Sequence, residues 1–329
     1  MIINYSDYSY EQGTRYVYTK DKEHNIITIG SRSYVAKGKI LVHEDDGPGG
    51  HILIGNYSSI ASDVEFLLYG NHDYKAVSTY PWFVLTGKKY IYSTKNSGQV
   101  IINNDVWIGN GCKIMGGVII GNGAVIGAGT VVNKSVPPYA IVCGNRAEII
   151  GYRFTPEQIA KLNKLKWWYW DEKDILAKND LFRNIDSFLD DSYVEEDYSE
   201  EDWENEKMKN LKERFSFIYY LLLDSEAKYP LWPKVIAEYV NKFSANDSVL
   251  LLIGVKDKEL LEPVKKQIDN LSMRGDAKPA LAFIADNGMR AKEIMRYADC
   301  FISTRQFSSI IYNDYAKKTV SALNTRIFY

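Results

Sequence analysis

The chain has 329 residues, which is long enough for two domains of ordinary size. Its 40 basic and 42 acidic side chains leave a formal net charge of −2, which argues against a protein held on nucleic acid by overall charge. No apolar run approaches the roughly 18 residues that span a bilayer, and the first residues lack the pattern of a signal peptide. We therefore expect a cytoplasmic protein without a membrane span.

The three cysteines lie far apart in the sequence, at Cys112, Cys143 and Cys300. This spacing supports neither a disulfide framework nor a cysteine metal site. We expect all three to be buried as small apolar residues. No histidine pair or carboxylate cluster has the spacing of metal ligands, so no metal cofactor is expected.

A six-residue period runs through residues 98–136. Every sixth position carries a β-branched aliphatic residue: Ile102, Ile108, Ile114, Ile120, Ile126 and Val132. Glycine or asparagine often follows, and both tolerate the left-handed backbone of tight turns. The period also appears earlier, with interruptions at roughly 43–50 and 67–99: Ile29, Val35 and Leu41, then Ile54, Ile60 and Phe66. Helical stripes recur every three to four residues, so this period predicts a parallel β-solenoid in which each hexad forms one face of a triangular prism.

The repeat resembles the left-handed parallel β-helix of hexapeptide-repeat acyltransferases. Residues 106–154 are similar to the end of the xenobiotic acetyltransferase branch, which includes streptogramin and chloramphenicol acetyltransferases and many glycan O-acetyltransferases. The resemblance covers roughly residues 27–172, and the left hand of the helix is implied by it alone. It also implies acetyl-CoA as the cosubstrate and a homotrimer in which each site forms between two prisms.

His72 is the candidate general base. It lies in the second interruption, and loops on a rigid scaffold commonly carry function. The resembled family has its catalytic histidine in a loop at this place, followed by a Tyr-Pro-aromatic turn that residues 80–82 match. The neutral imidazole would take the proton of the acceptor hydroxyl and pass it to the coenzyme A thiolate. The same segment supplies the candidates for acceptor binding: Asn71, Tyr74, Tyr80 and Trp82.

The other histidines offer alternatives to this assignment. His51 precedes a predicted coil and is the second candidate base, whereas His24 and His43 are expected in solvated loops. His72 itself has a plain alternative as an uninvolved surface residue. Its orienting partner is open, because the adjacent Asp73 is expected to point away and a backbone carbonyl serves equally well.

The resemblance also implies a groove for the pantetheine arm of coenzyme A. Trp107 precedes an Ile-Gly turn and belongs either to this groove or to a packed interface. Lys134 suits the nucleotide phosphates, or is a solvated turn residue. The family's usual Asn-Pro-Ala-basic sequence is Asn-Arg-Ala-Glu here, at 145–148, so Arg146 and Arg153 are candidate substitutes. The candidate coenzyme A residues are Trp107, Asn110, Ala128, Asn133, Lys134, Arg146 and Arg153.

A helix is predicted to follow the prism. Thr155-Pro156-Glu157 has the pattern of a helix start. The predicted helix runs to residue 170 and packs on the end of the prism through one apolar face: Ile159, Leu162, Leu165 and Trp168. Residues 190–206 contain ten acidic and no basic side chains, which is typical of a charged linker or a solvated helix face. We therefore divide the chain into an acetyltransferase domain at 1–172, an acidic segment at 173–212 and a third part at 213–329.

The third part has the pattern of an α/β domain. Buried strands are predicted at 215–223, 248–254, 280–284 and 300–304, and helices at about 231–243, 257–271, 289–298 and 309–321. This alternation implies a parallel sheet. The part resembles one Rossmann-like half of a two-domain glycosyltransferase, without the other half, and we interpret it as a glycan- or partner-binding module. Ligands of such sheets bind beyond the strand ends, near Gly254 and Thr304.

The sequence thus favours an acetyl-CoA-dependent O-acetyltransferase that acts on a hydroxyl of a bacterial glycan in a capsule, a lipopolysaccharide or a glycoprotein. An antibiotic acetyltransferase of the streptogramin or chloramphenicol type is the alternative enzyme. A trimeric scaffold without catalysis, which binds a glycan or a partner, is the alternative of another class. The sequence does not identify the acceptor sugar or the function of the third part.

Overall fold

The computed structural model describes most of the chain. Its described residues are 2–5, 11–18, 25–41, 50–68, 72, 75, 77–80, 82, 98–195, 206–224, 227, 230–256, 261–269, 279–288, 290–324 and 327–328. Within this part of the chain, no helix has both the length and the apolar character needed to cross a bilayer.

In the described part of residues 2–152, sixteen short strands form a triangular prism with three faces. Face 1 contains β2 (Arg15–Tyr18), β3 (Asn25–Ile29), β6 (Ile52–Ile54), β9 (Val100–Ile102) and β12 (Ile119–Ile120). Face 2 contains β4 (Tyr34–Val35), β7 (Ser59–Ile60), β10 (Trp107–Ile108), β13 (Val125–Ile126), β15 (Ala140–Cys143) and β16 (Glu148–Tyr152). Face 3 contains β1 (Ile2–Tyr5), β5 (Gly38–Leu41), β8 (Glu65–Leu67), β11 (Lys113–Met115) and β14 (Val131–Val132). Pairing is parallel except for β1, β2 and β16, which pair antiparallel at the ends.

The prism confirms the solenoid that the period predicts. All six aliphatic residues of the main series are fully buried and line the interior. Ile108 lies opposite Ile126, so one coil has 18 residues. Ile60 also lies opposite Ile108, at a separation of 48, because the second interruption is inserted in that coil.

Two details of the predicted interior are wrong. Ile40, rather than Leu41, points inward opposite Phe66, because the turn before β5 is one residue shorter than a full hexad. Cys112 and Cys300 are buried as predicted, but Cys143 is only half-buried because it points outward at the end of β15.

Gly109 illustrates how closely the coils stack. A Cβ at this position would lie 2.6 Å from the backbone nitrogen of Ala128 in the next coil. Gly109→Ala is therefore expected to lower the free energy of unfolding by about 1–3 kcal/mol, since backbone must move to accommodate it. Gly151→Ala is the matched control, because its Cβ would meet no atom within 4 Å, and it is expected to be neutral. Urea denaturation of both variants checks this, and equal stabilities would contradict the tight stacking.

Helices cover the end and one edge of the prism. They are α1 (Pro156–Leu165), α2 (Glu172–Ala177) and α3 (Ile185–Ser192), with 3₁₀ turns at Trp167–Tyr169 and Asn179–Arg183. Thr155 caps α1 as predicted, through a reciprocal capping box with Gln158. The helix ends earlier than predicted, because Lys166 adopts a left-handed conformation with φ of 48°. The predicted apolar face does pack into one cluster with α3 and the 3₁₀ turns.

Residues 206–328 contain a five-stranded, fully parallel sheet, which we call the α/β unit. The strands are β17 (Phe217–Leu222), β18 (Val249–Val255), β19 (Ala280–Ala285), β20 (Cys300–Ser303) and β21 (Thr319–Ser321), in the order β19-β18-β17-β20-β21. The helices are α4 (Glu206–Arg214), α5 (Trp232–Lys242), α6 (Leu261–Asp269), α7 (Ala291–Tyr297) and α8 (Ser308–Tyr315). Two apolar clusters place α5 and α6 on one side of the sheet and α4, α7 and α8 on the other.

The predicted parallel sheet is thus present, with one error. The helix predicted at 309–321 ends at Tyr315, and the chain then forms β21 beside β20. Asn313 accepts the capping hydrogen bond from Ala316, after which the backbone becomes extended. The edge strand of three residues is too short to stand out as a strand pattern.

The α/β unit packs directly on face 1. Leu53 and Ile101 point outward from adjacent strands of this face and bury Ile310 of α8 between the two parts. A second contact centres on Asp314, whose carboxylate accepts hydrogen bonds from Trp168 and from Asn122 of the prism. Face 1 is therefore covered within the chain, whereas the outer surfaces of faces 2 and 3 carry exposed residues such as Trp107 and Lys113.

Candidate active site

His72 lies four residues beyond Leu68, where the chain leaves face 3, and its side chain is exposed. The Nδ1 atom is 2.6 Å from the backbone carbonyl oxygen of Thr79. A carbonyl oxygen only accepts, so Nδ1 carries the proton and donates it to Thr79. The Nε2 atom then holds the free lone pair. This is the tautomer and the orientation that a general base requires.

Two aromatic rings stand close to the His72–Thr79 contact in sequence. Tyr80 and Trp82 are 44% and 45% exposed, and their ring centroids lie 5.1 Å apart in an edge-to-face arrangement. The pair presents flat apolar surface to solvent beside the candidate base. The other two candidates for acceptor binding, Asn71 and Tyr74, lie outside the described residues, as do His24 and His43.

The turns between faces 2 and 3 form an edge that we call the glycine corner, made of residues 61–63, 109–111 and 127–129. Asn110 is exposed there, and its side-chain amide donates to the carbonyl oxygen of Ser62 in the coil below. Ala128 is exposed as well. A Cβ on Gly111 or Gly129 would meet nothing within 4 Å, so the backbone of this corner faces open space. An extended chain such as a pantetheine arm fits such a surface, because the backbone is accessible and side chains are small.

Trp107 lies on face 2 next to this corner. It points outward, is 56% exposed and stands in register between Ser59 and Val125. Exposed tryptophan on a regular strand is unusual, because its large apolar surface favours burial. A contact with a ligand or a second chain would account for this.

The remaining candidates for coenzyme A binding lie at several separate places on the molecule. Asn133 and Lys134 are exposed in the turn after β14, at the edge between faces 3 and 1 where the His72 segment also departs. Arg146 is exposed in the turn between β15 and β16, with φ of 100°. Arg153 instead donates to the Asp105 carboxylate at 2.9 Å and to the carbonyl oxygen of Gly123. Burial raises the pKa of Asp105, and the Arg153 guanidinium opposes this shift.

One chain therefore brings the candidates together in two groups rather than one. His72 and Lys134 follow strands of face 3 at the edge between faces 3 and 1, and Tyr80 and Trp82 belong to the same inserted segment as His72. Trp107, Asn110 and Ala128 belong to face 2 and the glycine corner. Face 3 separates the two groups.

His51, the second candidate base, is fully buried between the prism and the α/β unit. Its Nδ1 accepts from the Gln99 amide at 2.8 Å, and its Nε2 donates to the Thr28 hydroxyl at 3.0 Å. A ring engaged at both nitrogen atoms and shielded from solvent does not reach an acceptor. The sequence did not predict the burial of His51 beside Gln99 and Thr28, and it left open whether a backbone carbonyl orients His72, since neither feature has a local pattern.

The carboxyl edge of the α/β sheet carries buried charges. The carboxylate of Asp224, which follows β17, accepts from the backbone nitrogens of Leu231 and Trp232 at the start of α5. Burial raises the pKa of Asp224, and burial lowers the pKa of Arg305 to about 10, each opposed by the charge of the other. At the expected ligand edge, Gly254 faces the Tyr220 hydroxyl and Thr304 is buried. No group of three or more metal-binding side chains occurs among the residues the structure describes.

Comparisons with known proteins identify the family. The family description "Bacterial transferase hexapeptide (six repeats)" matches residues 99–134. The chain is 41% identical over 132 residues to the chloramphenicol acetyltransferase of Klebsiella aerogenes, which covers 38% of this chain and 63% of that protein. It is 38% identical over 141 residues to the "Probable macrolide acetyltransferase" of Lysinibacillus sphaericus, covering 41% of this chain and 78% of that protein. The chain belongs to the hexapeptide-repeat acyltransferase family.

The similarity to these relatives covers less than half of the chain. The chain spans about 63% of the length of the chloramphenicol acetyltransferase it matches. Among solved structures, a hexapeptide-repeat acetyltransferase from Vibrio cholerae O1 biovar eltor in complex with acetyl coenzyme A is 27% identical, with a TM-score of 0.30. That match covers 39% of this chain and 61% of the Vibrio chain.

Proposed function

We propose that the protein is an acetyl-CoA-dependent O-acetyltransferase that modifies a hydroxyl of a bacterial glycan. The observation that carries this proposal is the hydrogen bond from His72 Nδ1 to the Thr79 carbonyl, in a chain of the hexapeptide-repeat acyltransferase family. The bond leaves Nε2 ready to accept a proton on an exposed segment. The proposed reaction takes place in the cytoplasm, where acetyl-CoA is available.

His72 acts as the general base in the proposed reaction. Nε2 takes the proton from the acceptor hydroxyl as its oxygen forms a bond to the thioester carbon. The carbon–sulfur bond breaks, and the imidazolium returns the proton to the departing thiolate. The Thr79 carbonyl keeps the ring in place and stabilises the imidazolium, because Nδ1–H remains bound to it throughout. Such a base contributes on the order of 10²- to 10⁴-fold to the rate.

The two groups of candidate residues favour a site shared between chains. The glycine corner with Trp107 of one copy would bind the pantetheine arm against the His72 edge of the next, and Asn133, Lys134 and Arg146 would reach the phosphates. Arg153 is the weakest member of this set, because Asp105 already holds it. A homotrimer with the left-handed β-helix of the family places such a site at each of its interfaces.

An apolar column on face 2 supports this association. Trp107, Val125 and Ile141 stand in register on adjacent strands and point outward. Ile141→Asp is expected to convert the homotrimer into a monomer, since it places a charge in this column. Leu176→Asp is the matched control, because Leu176 is 65% exposed on α2 and is not part of this column. Light scattering after size-exclusion chromatography checks the prediction, and an unchanged mass of the Ile141 variant would contradict it.

A glycan acceptor is supported by the exposed pair of Tyr80 and Trp82, because aromatic faces pack on the apolar faces of sugar rings. The alternative is an antibiotic acetyltransferase, which the identities to the chloramphenicol and macrolide relatives favour. Coenzyme A release, measured with oligosaccharides, chloramphenicol, a streptogramin and a macrolide, separates the two. Release that depends on an oligosaccharide supports the proposal, and release with an antibiotic alone overturns the glycan assignment.

The α/β unit is proposed to be Rossmann-like. Its order of five parallel strands, with helices on both sides, supports this, because the doubly wound fold has this order. We also propose the division into an acyltransferase part at 1–172, a connecting segment at 173–212 and a third part at 213–329, which contains the five strands of this sheet. An acetyl-CoA titration by calorimetry tests the cosubstrate independently of the acceptor. Absence of binding would favour a scaffold without catalysis.

A further inference from the structure

Both interruptions of the prism return to face 1 side by side. The first returns at His51 and the second at Gln99, and the backbone nitrogen of Val100 donates to the His51 carbonyl oxygen at 3.0 Å. His51 is fully buried and Gln99 is 2% exposed. The second interruption contains His72, Thr79, Tyr80 and Trp82, so Gln99 stands where the segment with the candidate base rejoins the scaffold.

The side chain of Gln99 is bound by the α/β unit. Its amide nitrogen donates to the Thr304 carbonyl oxygen at 2.7 Å and to His51 Nδ1 at 2.8 Å. Its carbonyl oxygen accepts from the Ser303 hydroxyl at 2.7 Å. Buried hydrogen-bonding groups are costly to leave unpaired, so this arrangement holds the Gln99 side chain in one position.

The contacts beside Gln99 also join the prism to the α/β unit. Thr28 lies on β3, which pairs with the strand that follows His51, and donates its hydroxyl proton to the Arg305 carbonyl oxygen at 2.8 Å. Gly98 has φ of 83°, and a Cβ there would lie 1.9 Å from the Asn324 side-chain oxygen, so the backbone itself packs on the α/β unit. Residues that follow β20 and β21 thus contact the place where the His72 segment rejoins face 1, and they do so from outside the prism.

These contacts involve the carboxyl edge of the sheet in the α/β unit, which is the edge where doubly wound proteins bind ligands. Ligands bind there at the point where the strand order reverses, which is between β17 and β20 in this sheet. Here the Asp224 carboxylate occupies the start of α5, where a ligand phosphate would bind. The carbonyl oxygens of Thr304 and Arg305, which follow β20, bind the prism. This edge of the sheet therefore contacts the prism rather than a free ligand.

We propose that the α/β unit fixes the return end of the His72 segment, with Gln99 as a positioning residue for the transfer reaction. This inference rests on the proposed function, in which His72 is the general base. Gln99 touches no reacting atom in this account and acts through the segment that it anchors. Placement matters because misplacement of a catalytic group by about 1 Å costs on the order of 10²-fold in rate.

The test compares Gln99→Ala and Gln99→Met with Asn313→Ala in the full chain. The methionine variant keeps the volume of glutamine without its hydrogen bonds. Asn313→Ala is the matched control, because it removes another carboxamide of the same interface. This carboxamide donates to Asn103 Oδ1 at 2.7 Å and lies away from the His72 segment. The readouts are kcat, the KM values for acceptor and acetyl-CoA, and hydrogen exchange of peptides that cover residues 72–82.

Both Gln99 variants are expected to lower kcat by on the order of 10- to 100-fold with an unchanged KM for acetyl-CoA. They are also expected to speed hydrogen exchange in residues 72–82. Asn313→Ala should lose stability without either change. Equal kinetics and exchange in the Gln99 and Asn313 variants would overturn the inference and reduce the α/β unit to a stabilising element. If the wild type transfers no acetyl group, the proposed function fails, and the exchange comparison alone still decides whether Gln99 anchors the segment.

Discussion

His72→Ala is expected to lower the rate of acceptor-dependent acetyl transfer by on the order of 10²- to 10⁴-fold. The variant removes the only group that the proposed reaction uses to move the acceptor proton. Its stability should match the wild type, because the side chain is exposed and its bond to the Thr79 carbonyl connects two residues of one surface segment. Steady-state coenzyme A release, with a thermal melt of the same preparations, measures both quantities.

Val77→Ala is the matched control for this experiment. Val77 lies in the same segment, and its side chain is fully exposed. It should retain the wild-type rate, which shows that the loss in His72→Ala comes from the imidazole and not from any change in the segment. A His72 variant with wild-type kcat would remove this residue from the mechanism. No other histidine among the described residues is exposed, so the base would then have to be a group of another kind or lie outside them.

Asp314→Ala is expected to lower the free energy of unfolding by about 3–5 kcal/mol. The Asp314 and Lys166 side chains are only 2% and 10% exposed, with Nζ and Oδ1 3.0 Å apart. Burial lowers the pKa of Lys166, and the Asp314 charge opposes this shift. The variant leaves the Lys166 cation buried opposite no carboxylate, and it removes the acceptor of the Trp168 and Asn122 hydrogen bonds. Urea denaturation followed by tryptophan fluorescence measures the loss.

Glu65→Ala provides the comparison for an ion pair near the surface. Lys113 donates to Glu65 across face 3 at 2.5 Å, and the two side chains are 49% and 26% exposed. Its loss is expected to cost less than about 1 kcal/mol, because solvent screens the pair. A second variant, Asp314→Leu with Lys166→Met, removes both buried charges and should recover much of the stability lost in Asp314→Ala. A cost for Asp314→Ala no larger than that for Glu65→Ala would contradict the role of Asp314 as a buried link.

The sequence was sufficient to predict the prism, because its periodic residues report directly on burial. Each aliphatic residue of the main series occupies the same position in its coil, and turns of fixed length keep the register. The prediction failed at Leu41 for the same reason, since one shortened turn before β5 shifts the inward residue to Ile40. A six-residue period in the sequence predicts which residues point inward only while the turns between the strands have equal lengths.

The sequence also indicates that face 1 is covered. Leu53, Ile101 and Ile119 point outward on this face, where face 3 carries Glu65 and Lys113 instead. Strands that are apolar on both sides are typical of sheets buried on both sides. The outward residues of adjacent coils therefore distinguish a covered face from an exposed one.

The polar links between the two parts could not be predicted from the sequence. Gln99 and Thr304 are 205 residues apart, as Asn122 and Asp314 are 192 apart, and each residue alone looks like an ordinary surface residue. His51 looked like a possible base for this reason, and only its burial beside Gln99 removes it from that position. The orientation of His72 likewise depends on a backbone atom, which leaves no trace in the sequence.

Transfer of an isotope-labelled acetyl group tests directly whether the protein acetylates a glycan hydroxyl and whether it needs His72 to do so. Wild-type protein and His72→Ala are incubated with labelled acetyl-CoA and a panel of oligosaccharides, and the products are examined by NMR. If His72 is the base, the wild type forms a labelled O-acetyl ester on a sugar hydroxyl, and the variant gives a signal lower by on the order of 10²-fold or more at equal times. Equal ester formation by both proteins, or label on an antibiotic but on no sugar, would contradict it.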